Sequence, residues 1–251
     1  VTPISAVIIT LNAERHLERV LAALAGICSE IVILDSGSTD GTRAIAERHG
    51  ARFSVQAFAG FGAQKRAAVA LATNDWVLAL DADEILDEQA RTGLRALELA
   101  DPTICWRIRR RNHVGGREIR HGHWSPDWCL RLFHRQHHNF STAAVHEAVH
   151  PTAAVKTLPG SILHYGYADL VDIFRLRYHR MKADGYLERG RRAGSMTLVL
   201  RGAWAFFHSY IIRRGFLDGQ AGVIVAISAA LNATLGLAQA SWDYASTDHA
   251  V

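Results

Sequence analysis

Three continuous apolar runs in the first third of the chain, at residues 6–11, 30–35 and 75–80, each stop at polar residues and give way to a helical pattern. Runs this short, bounded this way, suit strands buried on both faces, and residues 52–55 read as a further one. Between them, residues 14–25 space Leu17, Val20, Leu21 and Leu24 at helical intervals. Asp40 is placed to cap a second helix reaching about residue 49. A Gly-Phe-Gly turn at 60–62 precedes an alanine-rich helix over 64–72, and residues 87–100 read as a fourth. Strand–helix alternation predicts a Rossmann-like, mostly parallel α/β sheet flanked by helices. Such sheets bind ligands beyond the carboxyl ends of their strands. Residues 10–14, 35–40 and 81–84 are therefore expected to line one crevice.

After Asp101-Pro102 the pattern changes. Residues 104–111 and 128–135 read as strands with basic residues between apolar ones, separated by a loop-rich segment. The predicted organisation is a domain over 1–168, in a ligand half of about 1–100 and a second half of 101–168, followed by a helical extension over 169–251. Charge divides along similar lines. Residues 1–100 carry 9 Lys and Arg against 13 Asp and Glu, whereas residues 101–251 carry 19 against 11. A basic C-terminal part points to an anionic partner: nucleic acid, a phosphorylated glycan or a membrane surface. Residues 219–242 hold no formal charge over 24 positions, long enough to span a bilayer, yet polar residues, Ala and Gly interrupt them. A spanning helix, a membrane-surface segment and a helix packed in the protein all remain open readings. With the basic, aromatic stretch before it, the extension is expected to associate with a membrane.

Several classes are excluded. At 49% hydrophobic and 21% charged residues the chain is globular, not disordered. Its three cysteines show no paired spacing, which favours a reducing compartment. Residues 1–11 read as a strand rather than a secretory leader. The 14 histidines include no HExxH and no Cys/His finger spacing, so zinc is not expected. No nucleic-acid motif accompanies the positive charge, and an acidic strand end opposes phosphate-backbone binding.

The strongest chemical signal is Asp81-Ala82-Asp83-Glu84 at a strand end. Crowded carboxylates need a cation, and Mg²⁺ or Mn²⁺ with oxygen ligands supplies it while holding substrate phosphates. Asp-x-Asp alone also suits a helix start. The second signal, residues 35–42, is a small, glycine-containing loop that exposes backbone N–H groups before a helix. Thr10, Asn12 and Glu14 close the first strand, and Lys65 or Arg66, after the Gly-Phe-Gly turn, is placed to reach a diphosphate.

These four segments, in this order, resemble the family 2 glycosyltransferases, which have the GT-A fold. The resemblance covers residues 4 to about 150. It implies nucleotide-sugar binding by Thr10, Asn12, Glu14, Asp35, Ser36, Lys65, Asp81, Ala82 and Asp83, with metal at Asp81 and Asp83. Ser36 stands where many members carry a second Asp, and Thr10 where many carry Pro. Together with Arg131-Leu-Phe133, Val145-His-Glu147 and Gly215-Phe-Leu-Asp-Gly219, the motifs resemble the bacterial lipopolysaccharide core glucosyltransferases of the WaaE/KdtX type. That implies inversion, UDP-glucose as donor, an inner-core heptose as acceptor, and work at the inner face of the cytoplasmic membrane. Polyprenyl phosphate, capsule and protein glycans stay open as acceptors.

The attacking hydroxyl needs a carboxylate base. Glu147, beside His146 among small and apolar residues, is the candidate, and Asp127 is the runner-up. Trp124, His146 and His164 are candidate acceptor contacts.

Overall fold

The computed structural model describes residues 3–141, 148–174 and 183–248. They form two compact units, one drawn from residues 1–111 and 127–165, the other from 112–126 and 166–251. Relative to a single boundary at 168, residues 112–126 group with the C-terminal unit.

In the first unit, β1 (Ile4–Thr10) lies between β2 (Glu30–Asp35) and β4 (Trp76–Asp81), with β3 (Arg52–Val55) outside β2; these pairs are all parallel. Beyond β4 the order continues through β8 (Asp127–His134), β6 (Cys105–Val114), β9 (Val155–Tyr167) and β5 (Glu84–Leu86). There β4–β8, β8–β6 and β9–β5 pair antiparallel. The sheet is mixed, and the expected parallel order holds for β3-β2-β1-β4.

Alternate residues of the parallel strands enter two cores. Ala6, Ile8, Ile33, Leu78 and Leu80 face one, with α1 (Glu14–Leu24), α2 (Thr42–Arg48) and α4 (Glu88–Arg95) supplying Leu17, Leu21, Ile45 and Leu94. Val7, Val32, Leu34, Val77 and Ala79 face the other, against Ala68 and Val69 of α3 (Phe61–Leu71) and against Phe133 and Phe140. Burial on both faces explains why these strands are continuously apolar rather than alternating. The third helix starts three residues before the expected 64, and the fourth ends at Arg95 rather than near 100.

Strand β9 has no expectation behind it, and Pro159-Gly160 near its middle is the reason: both residues normally argue against a strand. Gly160 adopts φ +77°, and a Cβ there would strike the Ala90 backbone nitrogen and the Asp87 carboxylate. The bare backbone thus lets β9 pass the start of α4, where Asp87 Oδ1 accepts from Ala90 N at 2.9 Å.

In the second unit the end of β6 pairs with β7 (Arg117–Glu118), and Gly122–Trp124 form a 3₁₀ turn. Helix α5 (Ser195–Phe207) runs into a π-helical turn at His208–Ile212, a 3₁₀ turn at Gly215–Asp218 and then α6 (Gln220–Asp248). Gly202 of α5 faces Thr234 of α6, and Arg201 Nε donates to Ala233 O at 3.3 Å. Val114, Ile119, Ile173, Ala221 and Val225 form a small core, and Trp124 packs against it. Among the described residues, α6 is the helix long and apolar enough to cross a membrane, with mean hydropathy 1.9 over its most apolar 18 residues. Of those 18 residues 44% are buried within the protein, Val225, Ala226 and Ala229 among them.

Candidate active site

Strand register brings the three expected segments together. Thr10 pairs with Asp35 across β1–β2, and Ile9 pairs with Asp81 across β1–β4. Neighbouring strands lie about 4.8 Å apart, so the carboxyl ends of β1, β2 and β4 form one edge. The strand order also reverses there, since β2 and β4 flank β1. Crevices of parallel sheets open at such points.

The first two loops are tied to each other. Asp35 is buried and accepts four bonds: Thr10 Oγ1 at 2.7 Å and Ser38 Oγ at 2.5 Å on Oδ1, Gly37 N at 2.8 Å and Ser38 N at 2.7 Å on Oδ2. Burial alone would raise its pKa, but these donors outweigh it and hold the carboxyl below the ordinary aspartate value. Asn12 adopts a left-handed φ of 52°, which asparagine tolerates better than most residues. Its N donates to Ser38 Oγ at 2.7 Å and its Oδ1 accepts from Thr39 N at 2.9 Å. Glu14 Oε2 accepts from Gly41 N at 2.8 Å, and Ser36 N donates to Thr10 O at 2.8 Å. Thr10, Asn12, Glu14 and Asp35 therefore build the loop pair, and Asp35 spends its acceptor capacity internally.

At the end of β4 the carboxylates meet protein cations. Lys65 Nζ lies 2.7 Å from Asp81 Oδ1, and Arg131 Nη2 lies 2.9 Å from Asp81 Oδ2. The same Arg131 nitrogen is 2.5 Å from Oε1 of Glu84, which is 0% exposed and also 3.3 Å from Arg110 Nη1. Arg110 Nε in turn holds Asp127 at 2.8 Å. Burial opposes ionisation of Asp81, yet Lys65 and Arg131 hold its carboxyl well below the usual range. Lys65 is turned toward Asp81 instead of an open crevice, and both Asp81 oxygens are occupied. This geometry does not fit Asp81 as a metal ligand.

Asp83 differs. Among the described residues no Lys or Arg pairs with it; His164 lies beside it, with Nε2 3.6 Å from Oδ2. His164 reaches this place because β5 pairs with β9, setting Glu84 opposite His164. Burial pushes the Asp83 carboxyl up, His164 opposes that, and the Asp81 and Glu84 carboxylates add to it. A carboxylate disfavoured in this way is one that a bound cation would stabilise. Asp83 offers a carboxylate oxygen, which suits Mn²⁺ or Mg²⁺ completed by phosphate oxygens and water, and the His164 nitrogen beside it suits Mn²⁺ better than the harder Mg²⁺. No group of three or more such side chains occurs among the described residues.

Other expected residues fall elsewhere. Glu147 and His146 lie outside the described residues. Asp127 is engaged by Arg110. Trp124 belongs to the second unit, stacked on Tyr167 with centroids 5.0 Å apart. Ala82 packs partly buried against the first core, between the two aspartates. Arg110 was not assigned to the site from sequence, Glu84 appeared only as the last member of the acidic run, and Arg131 only as part of a motif. A guanidinium flanked by Leu130, Leu132 and Phe133 in a strand was the available signal, because a cation in an apolar run needs a buried anion.

The model of the family described as "Glycosyl transferase family 2" matches residues 5–158. The chain is 32% identical over 247 residues to the "Lipopolysaccharide core biosynthesis glycosyltransferase LpsC" of Rhizobium meliloti, covering 94% of this chain and 91% of that protein. It is 28% identical over 244 residues to an uncharacterized glycosyltransferase of Rickettsia conorii, covering 89% and 84%. Among solved structures it is similar to the glucosyl-3-phosphoglycerate synthase of Mycobacterium tuberculosis, in complex with Mn²⁺, UDP and glucosyl-3-phosphoglycerate. That likeness has a TM-score of 0.37 at 27% identity and spans 45% of either chain. With the family model over the ends of β1, β2 and β4 and a relative matched almost end to end, the chain belongs to glycosyltransferase family 2 and is a glycosyltransferase of the GT-A fold.

Proposed function

We propose that this enzyme transfers a hexose, with inversion, from a nucleoside diphosphate sugar to an inner-core heptose of lipopolysaccharide or a similar lipid-linked glycan, with UDP-glucose as the donor. The observation that carries the donor reading is the contrast between the two aspartates: Asp81 is neutralised by Lys65 and Arg131, while Asp83 faces His164 with no Lys or Arg partner among the described residues. The acceptor class is supported by the relative named for lipopolysaccharide core biosynthesis. A cytoplasmic position at the inner membrane face is part of this reading, in keeping with the proposed acceptor, and the exposed apolar residues of the C-terminal unit support membrane proximity.

The loops after β1 and β2 bound the base and ribose, held in shape by Asp35, Asn12 and Glu14. Asp83 and His164 would hold the divalent ion, which when bound would stabilise negative charge on the departing diphosphate. Lys65 and Arg131 fix Asp81 and keep the floor of the site near neutrality before donor arrives. Glu147 takes the proton of the attacking hydroxyl; Asp127, held by Arg110, is the second candidate.

Calorimetric titration with UDP, UDP-glucose, GDP-mannose and dTDP-glucose, with and without Mn²⁺, tests this reading. Mn²⁺-dependent binding of UDP-glucose that disappears in Asp83→Asn is expected. Binding of none of the four with Mn²⁺ present would overturn it.

A further inference from the structure

The C-terminal unit contains a cavity of about 440 Å³ that no step of sugar transfer uses. Arg120, His121, Ser125, His208, Arg213 and Arg214 line it. Its nearby acidic groups are already engaged. Asp218 accepts from Arg120 N at 3.0 Å, His121 N at 2.8 Å and the His121 ring at 2.9 Å, and Glu118 sits 3.3 Å from Arg120 Nε. Among the described residues no carboxylate pairs with Arg213 or Arg214. Arg213 Nη2 donates to Ser125 O at 2.9 Å, which fixes its guanidinium at the wall. Arg214 adopts a left-handed φ of 56°, a conformation that costs free energy in a residue with a Cβ. Unopposed guanidinium groups in a concave site favour a phosphate.

A second observation says what carries that phosphate. Met196, Val199, Leu200, Trp204, Phe207 and Ile211 recur at helical spacing along α5 and its π-helical continuation, and all are exposed, Trp204 at 61%. Gly202, on the opposite side, packs on α6. Ile212 continues this face into the cavity lining, and Phe216 and Leu217, just beyond Arg214, are exposed as well. An apolar stripe with Trp, adjoining an arginine pocket, matches the composition of a lipid surface: acyl chains beneath, anionic groups above.

We propose that this face lies on a bilayer and that the pocket binds the phosphate of an anionic phospholipid headgroup, with Arg213 and Arg214 as its principal ligands. The site deepens the membrane part of the proposed function, while its test runs independently of sugar transfer. The full chain is mixed with vesicles of phosphatidylcholine alone, or with 30 mol % phosphatidylglycerol, and bound protein is measured by flotation. Arg213→Gln keeps a donor for the Ser125 carbonyl, and Arg214→Asn keeps a residue that tolerates positive φ. The double variant is expected to lose about thirtyfold in affinity for the anionic vesicles, with Mn²⁺-dependent UDP-glucose binding unchanged. Trp204→Ala with Phe207→Ala is expected to weaken binding to both vesicles.

Wild-type binding indifferent to phosphatidylglycerol, or a double variant that binds like wild type, would overturn the proposal. So would saturable binding of glycerol 3-phosphate through the two arginines without vesicle binding, which assigns the pocket to a soluble phosphate. If the double variant melts early, the wild-type comparison of the two vesicle compositions decides alone. Loss of UDP-glucose binding in the wild type, with lipid binding intact, would count against the proposed donor and not against this face.

Discussion

Removing Arg131 tests the charge network beneath the site. The side chain is 7% exposed and contacts two carboxylates at 2.5 and 2.9 Å, one of them on the fully buried Glu84. In Arg131→Met the methylene volume stays, but Glu84 keeps, among the described residues, the Asp81 N–H at 3.1 Å and a single cation, Arg110, at 3.3 Å and shared with Asp127. Breaking a buried pair from one side costs about 3–5 kcal/mol, mostly from the stranded charge. Neutralising the stranded group as well, in Arg131→Met with Glu84→Gln, should recover most of this and leave a loss of about 1–2 kcal/mol, the magnitude of a missing buried hydrogen bond. Urea unfolding followed by tryptophan fluorescence measures both, with the transition assigned to the first unit through Trp76, which is 5% exposed on β4. At about 2–4 °C per kcal/mol for a unit of this size, the single variant should also melt roughly 6–20 °C early. A single variant losing less than 1 kcal/mol, or a double variant losing the sum of both single losses, would refute the idea that Arg131 stands there to neutralise Glu84.

Four further outcomes follow from the site. Asp83→Asn should lower transfer by about 10²-fold or more, the scale of losing one preorganised electrostatic element, and abolish its dependence on Mn²⁺ in a steady-state assay. Glu147→Gln should lower turnover by about 10²–10⁴ while calorimetric UDP-glucose affinity holds; an active variant moves the base to Asp127. Because the folded pKa of Asp35 is depressed, its stabilisation is full above the ordinary value near 3.8 and is lost as pH falls through the lower folded value; Asp35→Asn should therefore unfold with a shallower acid dependence than wild type. Gly160→Ala should destabilise by more than about 1 kcal/mol, read by urea unfolding, since it sets a Cβ at φ +77° against the start of α4.

The parallel half of the sheet was legible because each strand is buried on both faces and so reads as an unbroken apolar run. Thr10, Asp35 and Asp81 follow from that alone, since they close those runs. What the local pattern concealed was long-range. The carboxylates of Asp81 and Glu84 looked mutually repulsive because their neutraliser, Arg131, lies 50 and 47 residues away. Lys65 looked like a solvated or phosphate-binding cation because nothing near it in sequence shows that α3 aims it at Asp81. Strand β9, which delivers His164, was hidden by Pro159 and Gly160, tolerated there because a close approach to α4 requires a bare backbone. In the C-terminal unit the apolar and aromatic content of α5 was plain, but its exposure was not.

The charge balance at the end of β4 explains why metal and donor should bind together. Among the described residues, Asp81, Asp83, Glu84 and Asp127 bring four carboxylates, and Lys65, Arg110 and Arg131 bring three cations, through contacts of 2.5–3.3 Å. The remaining charge is assigned to Asp83, the member without an Arg or Lys partner among the described residues. A diphosphate adds about two more negative charges beside it, which a low-dielectric site penalises heavily. A divalent cation held by Asp83 and His164 offsets the incoming charge almost one for one. Two protein donors alone would give such an ion weak purchase, because it dehydrates reluctantly, and a bound diphosphate would supply further oxygen donors. Neither ligand is well served by the site without the other, so each should raise the other's affinity by the same factor.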